Sequence, residues 1–109
     1  MADYTPQQVS ELLAAGGVQL IDVREPHEHE AGHIPGSRLI PLGDVPAQAG
    51  TIDRDTPVIL YCKAGGRSAM ATEALLGAGY DAHNMLGGFT AWHELALAME
   101  PENAYVADH

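Results

Sequence analysis

A chain of 109 residues that is 46% hydrophobic and 18% charged is expected to form one globular domain, long enough for a single core and too apolar to remain disordered. Its formal net charge of -10, with only five basic residues, argues against nucleic acid and anionic membranes as partners, because neutralising phosphates takes clustered Lys and Arg. No apolar run approaches the ~20 residues of a membrane span, and the start Met1 to Gln8 carries no secretory pattern, so a cytoplasmic location is the default expectation. The lone Cys62 has no partner for an internal disulfide and stays available for chemistry.

In chain order, Thr5-Pro6-Gln7-Gln8 reads as a capping box with Pro at the first helical position, and Val9, Leu12 and Leu13 supply one apolar face before Gly16-Gly17 ends the helix. Val18 to Val23 predicts a buried strand that runs into Arg24-Glu25-Pro26 and delivers Asp22 and Arg24 at its carboxyl end. A helical turn is expected over Pro26 to Ala31, a turn at His33-Ile34-Pro35-Gly36, a brief strand at Arg38 to Ile40 and a short helix from Asp44 to Ala49. Val58 to Tyr61 is the strongest strand signal, followed at once by Cys62-Lys63-Ala64-Gly65-Gly66-Arg67-Ser68 and by a helix from Ser68 to about Ala78. Ala82 to Met85 predicts a last strand, Gly87-Gly88 a turn, and Phe89 to Leu97 a last helix. Strands alternating with helices imply an α/β fold, a mostly parallel sheet covered on both faces, with sites at the strands' carboxyl ends.

The loop after the Val58 to Tyr61 strand concentrates chemistry. A thiol is a few per cent ionised at neutral pH, and a reactive one needs cationic or dipolar support. The helix starting near Ser68 turns its free N–H groups toward Cys62, while Lys63 and Arg67 add full charge. Gly65 and Gly66 allow the positive φ that turns successive amides, that of Ala64 included, into an anion nest. Arg67 suits bidentate hydrogen bonding to an oxyanion, Lys63 acts as a point charge at the entrance, and Ser68 caps the helix or donates to sulfur. The competing reading, an inert thiol ending a core strand, is the commoner fate of a cysteine but leaves this neighbourhood unexplained.

Four blocks, Leu20-Ile21-Asp22-Val23-Arg24-Glu25-Pro26, Gly32-His33-Ile34-Pro35-Gly36-Ser37, Cys62 to Ser68 and Gly87-Gly88-Phe89-Thr90-Ala91-Trp92, resemble the single-domain members of the rhodanese-like superfamily, over about Val9 to Leu97. The resemblance implies a rhodanese-like fold with a central parallel sheet of about five strands. It also implies a sulfurtransferase in which Cys62 takes sulfane sulfur from thiosulfate or a similar small anion, holds it as a persulfide and passes it to an acceptor such as cyanide or a thiol. No metal or organic cofactor is implied. Four residues separate Cys62 from Arg67, whereas the related dual-specificity phosphatases and arsenate reductases use five for a tetrahedral oxyanion, so the shorter loop favours sulfur. Two alternatives stay open: a relay module with a protein persulfide donor or thiol acceptor, and a noncatalytic binding domain, which the presence of both Cys62 and Arg67 disfavours.

By the same resemblance Asp22, Arg24 and Glu28 are chiefly structural, tying loops together near the site. His27, His29 and His33, with Glu28 and Glu30 between them, offer ligand types suited to zinc or nickel, but His33 belongs to the turn motif and the segment reads as solvated, so no metal is expected. Phe89 and Trp92 are assigned to packing. The domain is taken as residues 1–99, and residues 100–109 as an acidic, mobile, solvated tail.

Overall fold

The computed structural model describes residues 3–108. Helix α1 (Pro6–Ala15) opens on the reciprocal cap that its sequence predicts: the Thr5 hydroxyl accepts the Gln8 N–H and the Gln8 side chain accepts the Thr5 N–H. The strands β1 (Gln19–Asp22), β2 (Arg38–Leu39), β3 (Val58–Tyr61) and β4 (Ala82–Asn84) then pair in parallel in the order β2-β1-β3-β4. Between them run α2 (Pro26–Ala31), α3 (Val45–Gln48), α4 (Gly66–Gly77) and, after β4, α5 (Gly88–Glu94). At the β4 edge Tyr4 makes a single parallel bridge to Met85, so the sheet of about five strands consists of four strands and a one-residue fifth position.

β3 is apolar at every position because both of its faces are covered. Val58, Leu60 and Cys62 point with Ile21 and Val23 into one core, closed by Val45 of α3 and by Ala71 and Leu75 of α4. Ile59 and Tyr61 point with Leu20 and Met85 into the other, closed by Val9 of α1 and by Phe89 and Trp92 of α5. Each such side chain contributes about 1.5–3 kcal/mol on burial, so β3 is clamped from both sides. The Cys62 loop is therefore presented from a rigid base.

The Gly87-Gly88 turn does more than reverse the chain. A β-carbon on Gly88 would lie 2.5 Å from the Cys62 carbonyl oxygen and 2.6 Å from the Lys63 carbonyl carbon. That closeness lets the first amides of α5 bond the loop: Phe89 N–H donates to the Cys62 carbonyl at 2.7 Å and Thr90 N–H to the Lys63 carbonyl at 3.0 Å. α5 is thus a buttress beneath the loop as well as a packing helix.

The tail departs from its sequence expectation. Glu100 and His33 exchange backbone hydrogen bonds of 2.8 and 2.9 Å, Tyr105 N–H donates to the Ala31 carbonyl at 3.0 Å, and Val106 packs on the core that holds Tyr61 and Trp92. The end of α2 leaves backbone groups that need partners, and Val106 supplies an apolar anchor that acidic composition alone does not advertise. Residues 100–108 therefore lie along α2, with Glu100 to Asn103, Tyr105 and Asp108 still exposed.

Gly88→Ala is expected to lower unfolding free energy by about 3 kcal/mol in a denaturant titration, because a methyl group cannot be placed without moving the Cys62 and Lys63 backbone and φ here is positive.

Candidate active site

β3 ends at Tyr61, and the next residue, Cys62, is 1% exposed at the floor of the loop. Gly65, at φ +116°, reverses the chain so that its own N–H donates to Cys62 Sγ at 3.0 Å. The Ser68 hydroxyl lies 3.3 Å from the sulfur, and the backbone amides of Ser68 and Ala64 also favour its anion. Burial, the largest single influence, pushes the thiol up, but the Ser68 hydroxyl and the three amides together outweigh it and bring the thiol below its ordinary 9.0.

Three details differ from the sequence expectation. α4 begins at Gly66, two residues early, with Gly65 as its cap, so Ser68 lies inside the first turn and its hydroxyl turns to sulfur. Gly65 needs positive φ, whereas Gly66 is the first helical residue. Hydrogen bonds, not the full charges of Lys63 and Arg67, dominate the acidification of Cys62, because both cations are engaged elsewhere.

Arg67 makes a bidentate ion pair with Glu28, Nη1 to Oε1 at 2.8 Å and Nη2 to Oε2 at 2.9 Å. Glu28 is fully buried, and its Oε1 also accepts the Glu25 N–H that opens α2. Burial alone raises the Glu28 carboxyl, but the Arg67 hydrogen bonds, the Glu25 amide and the Arg67 and Arg24 charges overcome it and hold the carboxyl below its ordinary 4.5. Lys63 Nζ lies 3.2 Å from the Asp108 carboxylate, whose backbone carbonyl meets His27 Nε2 at 2.7 Å. The loop predicted to receive anions already faces two carboxylates of its own chain.

Asp22 and Arg24 do not touch Cys62. Asp22 accepts Arg24 Nε at 2.9 Å, Arg24 Nη2 at 2.7 Å and His29 Nδ1 at 2.8 Å, while Arg24 Nη2 also donates to the Gly32 carbonyl at 2.7 Å, so the pair ties β1 to the C-terminal end of α2. Among the described residues Arg24 Nη1 is the buried side-chain nitrogen without a hydrogen-bond partner. Its guanidinium instead lies 4.6 Å from the Phe89 ring centre and 5.4 Å from that of Tyr61, where π-faces take the place of an acceptor. His29 and His33 stack with ring centres 4.0 Å apart, His33 Nδ1 lies against the His29 carbonyl, and no cluster able to hold a metal occurs among the described residues. His29 and His33 are half-buried in the scaffold that carries α2, whereas His27 is exposed, as a solvated segment predicts.

Sequence reasoning missed Asn84 and the second function of Gly88. Asn84, nearly buried at the carboxyl end of β4, places its Oδ1 2.6 Å from the Ser68 hydroxyl. Its signal was a carboxamide ending a strand beside the one that delivers Cys62, where open parallel sheets gather their sites. For Gly88 the signal was a second glycine where one suffices for a turn.

A parallel sheet covered on both faces, with a thiol loop between β3 and α4, is the architecture of a rhodanese-like domain. The sequence profile of the rhodanese-like domain matches residues 5–95, and the chain belongs to that family. It is 47% identical over 75 residues to the uncharacterized protein YqhL of Bacillus subtilis, covering 68% of this chain and spanning 60% of YqhL. It is 37% identical over 86 residues to the thiosulfate sulfurtransferase GlpE of Pseudoalteromonas translucida, covering 78% of this chain and 82% of GlpE. The crystal structure of a rhodanese-related protein from Thermoplasma volcanium superposes with a TM-score of 0.85 at 27% identity, over 91% of this chain and 97% of that one. No helix among the described residues is long and apolar enough to cross a membrane.

Removing Arg67 strands a buried carboxylate. Arg67→Ala is expected to cost about 2 kcal/mol at pH 7, less than the 3–5 of a fully buried pair because Arg67 keeps some solvent contact. A carboxyl held low contributes stability above its unfolded value of 4.5 that is lost as pH falls through its folded value, so the gap between wild type and variant narrows in urea titrations below about pH 4.5.

Proposed function

We propose that the protein is a rhodanese-type sulfurtransferase that moves sulfane sulfur through a persulfide on Cys62. The observation that carries this reading is the pair of donors converging on one sulfur, the Gly65 amide at 3.0 Å and the Ser68 hydroxyl at 3.3 Å, in a backbone setting that lowers the thiol. They favour a thiolate before reaction and a persulfide anion after it.

With thiosulfate as donor, the Cys62 thiolate attacks the sulfane sulfur and forms the new S–S bond. The bond from that sulfur to the sulfonate breaks, and its electron pair leaves with sulfite. Charge is conserved, since monoanion plus dianion gives persulfide monoanion plus sulfite dianion. A nucleophile such as cyanide then attacks the terminal sulfur, carries it off as thiocyanate and regenerates the thiolate. Ala64, Gly65 and Gly66 shape the cradle, while Lys63 and Arg67 meet the donor's oxygens as they loosen from Asp108 and Glu28. No group outside the chain is needed for either step. The likeness to GlpE, named a thiosulfate sulfurtransferase, supports this donor class.

A second reading, a relay that takes sulfur from a protein persulfide and hands it to a thiol, is favoured by one observation. Both loop cations are already paired with carboxylates, which leaves less free charge for a dianion than for a singly charged persulfide. Comparing turnover with thiosulfate against exchange with a persulfidated protein separates the two.

Intact-mass measurement after thiosulfate exposure is expected to show one added sulfur atom, removable by cyanide and absent from Cys62→Ser; an equal gain in the variant rejects the assignment. Arg67→Ala is expected to lower kcat/KM for thiosulfate by about tenfold or more, and unchanged kinetics rejects its part in donor binding.

A further inference from the structure

The Ser68 hydroxyl has one proton and three acceptors around it. Asn84 Oδ1 is at 2.6 Å, Cys62 Sγ at 3.3 Å and the Gly65 carbonyl at 3.3 Å. Ser68 is fully buried and Asn84 nearly so, so water cannot make up the missing donor. With Oδ1 turned toward Ser68, the 2.6 Å contact competes with sulfur for that proton, and whenever Asn84 holds it the hydroxyl presents a lone pair to sulfur. That arrangement suits a neutral thiol, whose own S–H can be donated. It opposes a thiolate, which can only accept.

The two ends of a carboxamide are of equal size, so a half-turn of the Asn84 amide exchanges acceptor for donor with little displacement of its neighbours. Nδ2–H then donates to Ser68 Oγ, and the hydroxyl proton has sulfur as its strongest remaining acceptor.

We propose that Asn84 is a positioning residue for Cys62: its amide donates to Ser68 when the sulfur is anionic, as thiolate or persulfide, and accepts from Ser68 when it is a neutral thiol. Asn84 acts through Ser68 without touching the sulfur. The charged and titratable groups around this arrangement are Lys63 and Arg67 on the loop and first turn, Glu28 behind Arg67, and Asp3 and Glu73, which share a polar recess with Asn84. None of them supplies a proton to Ser68 in the structure, so the amide carries the control.

The inference rests on Cys62 being the reacting thiol, and its test is thiol ionisation, which does not depend on any sulfur donor. Thiolate absorbance and alkylation rate are followed against pH for wild type, Asn84→Asp, Ser68→Ala and the double variant, each first checked for a cooperative unfolding transition. An Asp at 84 is the same shape with acceptors at both ends and holds the Ser68 proton away from sulfur. Its expected effect is to raise the thiol midpoint by about one pH unit and slow alkylation at pH 7 severalfold to tenfold. In the Ser68→Ala background the same substitution is expected to move the midpoint by less than about a third of that shift, because the hydroxyl through which it acts is gone. A shift of equal size in both backgrounds shows that Asp acts by its charge and overturns the proposal, as does Asn84→Asp with an unmoved midpoint. Should Asn84→Asp not fold, Asn84→Ala enters the same cycle, with a smaller rise expected in the presence of Ser68 and none in its absence; equal rises again overturn the proposal. A protein that accepts no sulfur but keeps this non-additivity would reject the transferase reading and leave the positioning of Cys62 standing.

Discussion

A sulfur anion removed from water has to find its hydration shell in the protein, and the geometry around Cys62 answers that demand. At 1% exposure Cys62 faces a burial cost that opposes ionisation, and the Ser68 hydroxyl and backbone donors offset it without further charge. Those donors exist because Gly65 turns the chain back on itself and because α4 starts there, with amides that its own helix leaves unused. Their aim depends on β3, whose residues are clamped by an apolar core on each face, and on α5, which binds the carbonyls of Cys62 and Lys63 from below. The sheet, the two crossovers and the Gly88 contact can thus be read as means of holding a few N–H groups at fixed distance from one atom.

Charge in this neighbourhood is arranged in closed pairs. Arg24 is paired with Asp22, Arg67 with Glu28, and Lys63 with Asp108, so a strongly acidic protein presents a loop of nearly neutral character to its surroundings. Fixed dipoles do not repel or collapse when a ligand's charge changes, whereas a paired cation can be released to an oxyanion and recovered afterwards. In the proposed sulfur transfer the amides hold sulfur throughout, while Arg67 and Lys63 respond to what the sulfur is attached to. The C-terminal segment enters the same design, since its backbone runs along α2 and brings Asp108 to the rim of the loop.

The sequence by itself determined the α/β class, the alternation of elements, the capping of α1, the loop that carries Cys62 and the family, because each rests on residues adjacent in the chain: a capping box, an apolar β-strand run, glycines beside a cysteine, and four short blocks in order. Tertiary structure alone decided which groups those residues meet. Glu28 and Arg67 lie 39 positions apart and Lys63 and Asp108 lie 45 apart, and no local pattern states that a carboxylate will be folded against a given cation. Asn84 came into view only once β4 was placed beside β3, and the tail read as solvated because its acidic composition hides the single apolar anchor at Val106. Local propensity and spacing are encoded along the chain, whereas the sharing of one proton among Ser68, Asn84 and Cys62 depends on distances that exist only after distant segments have packed.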